Sequence, residues 1–572
     1  MPYSVRETME MSSESFRAPA ARNLTEVFAV HGADPEVLAY AMAKYSRSAL
    51  SMRESLSEIG SQRAENFLNT FYFQYGHRSI ADLAHVAMAV ERLSLLAAIV
   101  LVDEQRWDGQ ERSTRYQNFL KSGWYFPDFG QDAASAQLYS KTIENLFATY
   151  QRTTDAVFAA LERRIPRPES LQPEAYARTL KARAFDVARY LLPLATNTSL
   201  GQIVNARTLE TQISRLLSHP AAEIRDLGLK LREAATGPAW NVNSLAAADF
   251  VEKLAAAEEL AAVKGTINPA ESAGVGRDVF QPIHLSPEEG PSSLAAQAAQ
   301  LLTRPVRSAP TLVKYAQPND YEIETRAELA LAASEILHGL PVADAPVVDL
   351  VERTESLEVE IAATLLYSAS HHSYRQIRDL VVGLPASRVA EIVEIGLRHR
   401  GQHDEALRAF QAGADLRFDI LMDIGGFRDL HRHRRATQIV QPFTARHGCE
   451  IPTCGDLGPD VEILAESGVQ AEFQSALDAA HAASARIASS PAPEAAQSAL
   501  YLLPLATRIR ALFKMDFAEA QYITELRSAP AGHFSYRRVA WQMYLTLQRQ
   551  HPLLAQHIRI TDFTRPIDLL HR

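Results

Sequence analysis

The nine-residue stretch Asp429–Thr437 concentrates positive charge in the second half of the chain. It contains Arg432, His433 and Arg434, and another arginine follows them directly. A guanidinium group is always charged and presents a planar fork of donors, so several together can clamp a phosphate or an extended planar ring. A basic run is also typical of a solvated surface. The stretch alone therefore leaves both interpretations open.

A second stretch, around residue 111, offers complementary groups. Glu111, Ser113 and Arg115 are spaced two residues apart, and in an extended segment such side chains project from the same face. They would present an acceptor, a hydroxyl group and a bidentate cation, which suits the ribose and phosphate of a nucleotide. The competing interpretation is a surface strand whose charges pair with one another. The two stretches together predict a small nucleotide site.

Two pairs of matching segments indicate that the chain is duplicated. The spacing of a tyrosine, two serines and an arginine over residues 45–53 returns over residues 367–375. The heptapeptide Tyr-Leu-Leu-Pro-Leu-Ala-Thr occupies residues 190–196 and again residues 501–507. Both matches lie in the same order at similar separations, which favours an internal duplication over chance.

The duplication predicts four parts in the chain. They are a flexible leader over residues 1–20, a first lobe over 21–263, a connector over 264–319 and a second lobe over 320–572. The connector is predicted because prolines and glycines gather there around short polar clusters, with one short helix at 292–302.

Helical patterns dominate both predicted lobes. A cap and a first-turn proline predict a helix from Asp34, and alanine-rich helical stretches cover residues 141–163, 321–337 and 470–488. Strand-like segments are fewer, and include Val86–Val90, Phe418–Met422 and the arms beside the charged stretches. We therefore predict a helix-rich α/β (α+β) fold made of two similar lobes.

Composition limits the class of protein. The 572 residues carry a formal net charge of −10 and a pI near 6.0, which disfavours a protein that coats nucleic acid. The only cysteines are Cys449 and Cys454, so disulfides are not the source of stability and a reducing cytosol fits. No signal peptide is evident, and no apolar run reaches the roughly 20 residues that span a bilayer. We predict a cytoplasmic protein without membrane, nucleic-acid or metal binding.

The first lobe carries an ordered series of motifs. These are Gly76-His77-Arg78-Ser79, Glu111-x-Ser113-x-Arg115-Tyr116, Asp186-x-Ala188-Arg189-x-x-Leu192-Pro193, Asn205-Ala206-Arg207 and Arg215. The series resembles the flavin-dependent thymidylate synthases, which make thymidylate from deoxyuridylate with reduced FAD, methylenetetrahydrofolate and NADPH. The resemblance covers most of residues 40–235.

The resemblance is divided between the two lobes. In the family an Arg-His-Arg motif stands just before Ser-x-Arg-Tyr, but the first lobe has Asp-Glu-Gln at 103–105. The second lobe has Arg-His-Arg at 432–434, yet Pro-Phe-Thr-Ala at 442–445 replaces the segment that should follow. Members of the family are similar in being tetramers whose sites combine segments from different chains. The complementary losses imply one composite site shared by the two lobes, and a homodimer would restore four lobes.

The resemblance implies a role for each matching residue. Arg432 and His433 would polarise the substrate, and Ser113 would lie with them at the reacting centre. Substrate would be bound by Glu111, Ser113, Arg115, Arg189 and Arg215. FAD would be bound by Arg432, His433, Arg434, Thr437, His77, Ser79 and Asn205. Judged by residue type alone, an asparagine at the start of a helix is more typical of a cap than of a ligand.

One departure from the family pattern concerns the substrate. The family carries a glutamine three residues before Arg-His-Arg, where this chain has Asp429. A carboxylate there would repel a phosphate or bond a different base edge, so another pyrimidine nucleotide is an alternative to deoxyuridylate. A second alternative is a catalytically dead protein that binds flavin or nucleotide and acts in regulation or assembly.

Overall fold

The computed structural model describes residues 34–44, 78–240, 244–264, 293–302, 305–314, 316–352, 355–401, 404, 406–453, 456–458, 461–556, 558–565 and 567–570. The helices of the first half are α1 Pro35–Lys44, α2 Leu95–Leu101, α3 Ala133–Arg164, α4 Pro173–Ala188, α5 Ala206–Leu217, α6 Ala222–Thr236, α7 Ser244–Lys264 and α8 Leu294–Leu302. Its strands are β1 His85–Ser94, β2 Asp108–Glu111 and β3 Asn197–Asn205.

The second half repeats this mixture of long helices and short strands. Its helices are α9 Asp320–Ile336, α10 Leu357–Ser368, α11 Tyr374–Val382, α12 Ala386–Arg398, α13 Ile424–Leu430, α14 Ile463–Glu466, α15 Gln470–Ala488, α16 Ala495–Leu500, α17 Phe517–Ser528, α18 Phe534–Gln550 and α19 Pro552–Ala555. Its strands are β4 Val348–Leu350, β5 Leu416–Asp423, β6 Thr437–Val440 and β7 Arg508–Met515. The helix-rich fold with two similar lobes is as predicted.

Each lobe is built on a small antiparallel sheet. The first sheet has the order β1-β3-β2 and the second the order β4-β5-β7-β6. In both sheets the long strand that precedes a short helix pairs with the strand that follows the repeated heptapeptide. The predicted strand segments at 86–90 and 418–422 lie inside β1 and β5. Helix α2 in the first lobe thus corresponds to α13 in the second.

The two repeated heptapeptides contact each other across the middle of the molecule. Pro193 and Pro504 form an antiparallel bridge, and the two segments exchange backbone hydrogen bonds on both sides of it. These bonds are Leu194 N to Leu503 O at 2.9 Å, Leu505 N to Leu192 O at 2.9 Å, Ala195 N to Tyr501 O at 2.9 Å and Ala506 N to Tyr190 O at 3.1 Å. Each bond has a counterpart made by the equivalent residues of the other repeat, so the lobes are related by a local two-fold axis.

Part of the predicted connector lies against the first lobe. Ala239 N donates to Val306 O at 2.7 Å, and Ala309 N donates to Ala235 O at 2.9 Å. The carboxylate of Glu36 accepts from two further backbone N–H groups of residues 311 and 312, at 2.8 and 2.7 Å. Residues 305–314 therefore extend the surface of the first lobe, because their backbone groups find partners there.

The central contact between the lobes predicts a large effect of a small truncation. Leu505 is fully buried in it, so Leu505→Ala should lower the free energy of unfolding by about 2–5 kcal/mol through lost burial and a residual cavity. Urea unfolding followed by circular dichroism measures this. The control is Leu331→Ala, because Leu331 is 63% exposed and its truncation should change stability by less than about 0.5 kcal/mol. Equal losses in the two variants would contradict the assignment of Leu505 to the core.

Candidate functional site

Helix α13 carries the chain from the second sheet to the basic stretch. Strand β5 ends at Asp423, whose carboxylate caps the helix by accepting a hydrogen bond from Gly426 N–H at 2.6 Å. Burial raises the pKa of this carboxyl group, and the hydroxyl of Ser535 donates to it as well. The apolar side chains that anchor the helix in the core are Ile424, Phe427 and Leu430.

The end of α13 lies against the first lobe. The guanidinium of Arg428 donates to the carboxylate of Glu111 at the end of β2, and both side chains are only 11% exposed. One residue later, Asp429 Oδ2 lies 3.6 Å from Arg189 Nη1. Two segments 317 residues apart in the sequence therefore meet, and both belong to the predicted composite site.

Arg115 forms a buried link within this contact. Its Nε and Nη2 donate to the two carboxylate oxygens of Asp186 at 2.7 and 3.1 Å. Its Nη1 donates to the Tyr536 hydroxyl at 2.9 Å, and Nη2 also donates to Ala531 O at 3.1 Å. Burial alone would lower the pKa of Arg115, but the Asp186 carboxylate raises it above its ordinary value. Arg115 therefore joins the first lobe to α18 of the second.

Arg189 has fewer partners than Arg115. It follows the last residue of α4 and is 1% exposed. Within the described part of the chain, its buried Nε and Nη2 atoms have no hydrogen-bond partner. Both atoms face Gly425 of α13, where a Cβ would lie 3.5 Å from each of them. Such orphaned donors on a buried cation are costly, and a bound anion would satisfy them.

The extended arm that we predicted around residue 111 is shorter in the structure. Strand β2 ends at Glu111, and a turn follows it. The Ser113 hydroxyl accepts a hydrogen bond from Arg115 N–H at 3.2 Å, a local contact typical of such turns. Glu111, Ser113 and Arg115 therefore do not share one face by strand alternation, because short-range side-chain bonds bend the chain after Glu111.

His433 is held inside the second lobe. Its side chain is 4% exposed, Nε2 accepts from Arg527 Nε at 2.8 Å, and Nδ1 lies 3.5 Å from Glu519 Oε1. Burial, followed by the charges of Arg527 and Arg434, lowers the pKa of His433 to about 3. The ring is therefore neutral at pH 7, and it positions the turn rather than offering a charge to a ligand.

The neighbouring arginines face outward from the same turn. Arg432 is exposed, and Arg434 lies over the ring of Trp107 from the first lobe, 4.5 Å from its centroid. The buried Nε of Arg434 has no hydrogen-bond partner among the described residues. The Thr437 hydroxyl donates to Gln411 Oε1 at 3.0 Å. Arg432 and Arg434 thus remain available on the side that the first lobe approaches, whereas Arg435 of the same turn is paired with Asp516.

Arg215 belongs to a different ion pair. Its Nε and Nη2 both donate to Glu104 Oε1, at 3.0 and 2.7 Å. Glu104 stands where the first lobe lacks the Arg-His-Arg motif, and its neighbour Asp103 accepts from Arg408 of the second lobe. The predicted substrate-binding role of Arg215 is therefore opposed by an internal carboxylate that the sequence spacing did not reveal.

Three predicted flavin ligands belong to the first-lobe sequence. Asn205 caps α5 by accepting a hydrogen bond from Thr208 N–H at 2.8 Å, as its residue type indicated. Ser79 lies in a short 3-10 helix, Arg78–Leu83. His77 lies outside the described residues.

Several residues at this contact were not identified from the sequence. Arg428, Tyr536 and Trp107 each bridge the lobes through side-chain contacts. The only indication in the sequence was their position, since Arg428 precedes the basic stretch and Trp107 follows the place where the first lobe lacks Arg-His-Arg. Long-range partners of this kind leave no periodic pattern.

Among the described residues no helix is both long and apolar enough to cross a bilayer. Within the same ranges, histidine, cysteine, aspartate and glutamate side chains form no group of three or more suited to a metal ion.

Comparison with known proteins decides the family. A family model described as thymidylate synthase complementing protein matches residues 28–237 and 349–553. The chain belongs to this family. Because the model matches twice, the thymidylate synthase complementing protein fold is present as a tandem duplication, as the internal repeats predicted.

The chain is similar to relatives of two kinds. UPF0159 proteins match over most of the chain. The one from Chlamydia muridarum is 26% identical over 557 residues, 93% of this chain and 91% of the relative. The UPF0159 protein of Thermoplasma acidophilum is 24% identical over 553 residues, 91% of this chain and 94% of the relative. The flavin-dependent thymidylate synthase of Clostridium tetani is 24% identical over 177 residues, 31% of this chain and 67% of that enzyme. A solved thymidylate synthase ThyX from Helicobacter pylori, complexed with FAD and dUMP, aligns with a TM-score of 0.24 and 17% identity, over 35% of this chain and 89% of that one.

The buried position of Arg115 predicts that it is needed for stability. Arg115→Ala removes the bidentate cation from the buried Asp186 carboxylate, and should lower the free energy of unfolding by about 3–5 kcal/mol. The control is Arg435→Ala, because that arginine and its partner Asp516 are 62% and 58% exposed, and its loss should change stability little. Chemical denaturation of both variants measures the two free energies of unfolding. Equal stability in the two would mean that Arg115 is not anchored as described.

The neutral state of His433 predicts a loss of stability in acid. The unfolded chain binds a proton below the ordinary pKa of 6.5, whereas the folded chain does so only near 3, so stability is complete above about 6.5 and falls as pH decreases. One such histidine contributes a slope of about 1.4 kcal/mol per pH unit between these limits.

His433→Gln should remove that share of the slope in denaturation experiments between pH 6 and pH 4. The exposed His551 provides the matched control, since His551→Gln should leave the slope unchanged. An unaltered slope in His433→Gln would show that the ring is protonated in the folded protein.

Proposed function

We propose that the chain is an FAD-dependent thymidylate synthase-like enzyme that methylates deoxyuridylate at C5 at one composite site shared by its lobes. Methylenetetrahydrofolate and NADPH would be its co-substrates. The observation that carries the proposal is the contact of α13 with the end of β2 through Arg428 and Glu111. This contact joins the Arg-His-Arg turn of one lobe to the Ser-x-Arg-Tyr segment of the other, each of which the opposite lobe lacks.

The residues at the turn fit a flavin. Arg434 stacks on the flat indole of Trp107, and its buried Nε has no partner in the described part of the chain, while Arg432 is exposed beside it. Planar cations with free donors suit both a flat heterocycle and the phosphates of a dinucleotide. When bound, the flavin would supply the hydride and redox chemistry of methyl transfer.

The protein's own residues would orient the reactants and exclude water. Arg432 would hold and polarise the pyrimidine from the open side of the turn, and Ser113 offers a hydroxyl from the facing lobe. Neutral His433 would fix the backbone that carries Arg432, because its two ring nitrogens are already engaged by Arg527 and Glu519. Fixed charges in a partly closed site need little reorganisation during reaction, which is where much of the rate enhancement would arise.

Two other functions follow from particular observations. Asp429 beside Arg189 favours a different pyrimidine nucleotide, since a carboxylate at that place would bond a different base edge. The internal pairing of Arg115 and Arg215 favours a protein that binds flavin or nucleotide for regulation or assembly. We also propose that the chain acts in the cytoplasm as a homodimer, which would bring four lobes together.

The activity assay combines the purified chain with FAD, NADPH, methylenetetrahydrofolate and deoxyuridylate, and detects thymidylate by mass spectrometry. Arg432→Ala should lower the rate by at least about a hundredfold, because it removes a cation that acts on the reacting ring. Arg549→Ala, at an exposed position of α18, serves as the matched arginine control and should retain the wild-type rate.

The flavin content of the same preparation separates the alternatives. One flavin per chain supports a single composite site, whereas two would contradict it. Bound and reduced flavin without thymidylate would exclude deoxyuridylate methylation and direct the search to other pyrimidine nucleotides. Absence of both flavin and product would favour the regulatory or assembly role.

A further inference from the structure

Arg189 and Arg115 enter the same interlobe contact with very different partners. Asp186 binds Arg115 with two short hydrogen bonds, at 2.7 and 3.1 Å, in the geometry of a planar fork on a carboxylate. Asp429 approaches Arg189 with one oxygen only, at 3.6 Å, which is too long for a hydrogen bond. A pair that served stability alone would be expected to resemble the first. The second pair leaves the Arg189 guanidinium without a hydrogen bond to Asp429. The buried Asp423 carboxylate also acts electrostatically on Arg189 from the side of Gly425, whereas Asp429 is the partly exposed carboxylate of the two.

The surroundings of Arg189 explain why this pair matters. The arginine is 1% exposed, and its Nε and Nη2 have no hydrogen-bond partner among the described residues. The side chain of Asp429 is 18% exposed, so the carboxylate lies at the solvent side of the buried cation. An incoming anion that reached Arg189 would therefore first meet Asp429.

Two neighbouring arginines of the contact are already paired with carboxylates. Arg115 is bonded to Asp186, and Arg428 is bonded to Glu111. Asp429 also contributes to the electrostatic environment of Arg115. A phosphate dianion would enter a cluster in which Arg115, Arg428 and Arg189 each have a carboxylate beside them. The negative charges of the phosphate and of Asp429 would then repel each other.

We propose that Asp429 is a specificity-determining residue that acts as an internal counterion of Arg189 and weakens binding of a phosphate monoester relative to the corresponding nucleoside. The inference rests on the proposed function, because it takes the contact around Arg189 to be where the substrate binds. A phosphate binds there only by displacing the carboxylate. The site consequently discriminates little between deoxyuridine and deoxyuridine 5′-monophosphate.

The test is isothermal titration of the full chain with deoxyuridine and with deoxyuridine 5′-monophosphate. Asp429→Asn removes the negative charge while keeping the size of the side chain, and should tighten binding of the monophosphate at least about tenfold. Binding of deoxyuridine should change less than about twofold, because it carries no phosphate. Asp429→Gln is measured in parallel, so that the result does not depend on how well a single variant folds.

Two controls separate a local effect from a general one. Asp226→Asn makes the same change of net charge at an exposed surface pair with Lys230, and should leave both affinities unchanged. Arg189→Leu is combined with Asp429→Asn in a double-mutant cycle, in which the gain for the monophosphate should disappear because the cation it requires is absent.

The outcomes are distinct. Tighter binding of the monophosphate by the Asp429 variants that depends on Arg189 supports the inference. No gain in either Asp429 variant overturns it, as does a gain that persists without Arg189 or that Asp226→Asn reproduces. The proposed function is tested separately by thymidylate formation. If the protein binds the monophosphate as expected but forms no thymidylate, the role of Asp429 as a counterion is supported and the proposed enzymatic activity is contradicted.

Discussion

The antiparallel contact between the two repeated heptapeptides is the constraint on which the rest of the structure depends. Leu194 and Leu503 share one hydrogen bond, and Leu505 and Leu192 share its symmetric counterpart. An isologous contact requires the same surface to serve both sides, so each repeat must satisfy the other's backbone with the same sequence. The heptapeptide is kept in both lobes because each change would be felt on both sides of the axis. Residues farther from the axis are free to diverge.

One polar link shows how the lobes diverge while the geometry is kept. In the first lobe Ser94 caps α2 and donates to Glu223 at 2.6 Å, at the start of α6. In the second lobe Asp423 caps α13 and accepts from Ser535, at the start of α18. The acid and the hydroxyl have exchanged places, yet a short helix is capped and tied to a longer one in both lobes. Equivalent positions can thus carry different residues when their partner changes with them.

Sequence patterns predicted the elements and their duplication, because helical periodicity, caps and repeated segments are local properties. They also indicated that Glu111 and the basic stretch belong to one site, since each lobe lacked what the other had. They did not reveal that Arg115 is bonded to Tyr536, 421 residues away, or that His433 is buried against Arg527. These contacts depend on packing between distant segments. Residue type alone does not distinguish a charged side chain that pairs within the protein from one that binds a ligand.

The first-lobe position equivalent to the Arg-His-Arg motif carries acidic residues instead of cations. Asp103 and Glu104 stand there, and they bind Arg408 of the second lobe and Arg215 of the first. Asp103 pairs across the lobes and Glu104 pairs within the first lobe, so Arg408 and Arg215 are both occupied by carboxylates rather than open to a phosphate. In a symmetric oligomer such a change would alter every site at once. In a fused chain it alters one lobe only, so Asp103 can pair with Arg408 and lie 3.6 Å from His431 while Arg432 of the same region stays exposed.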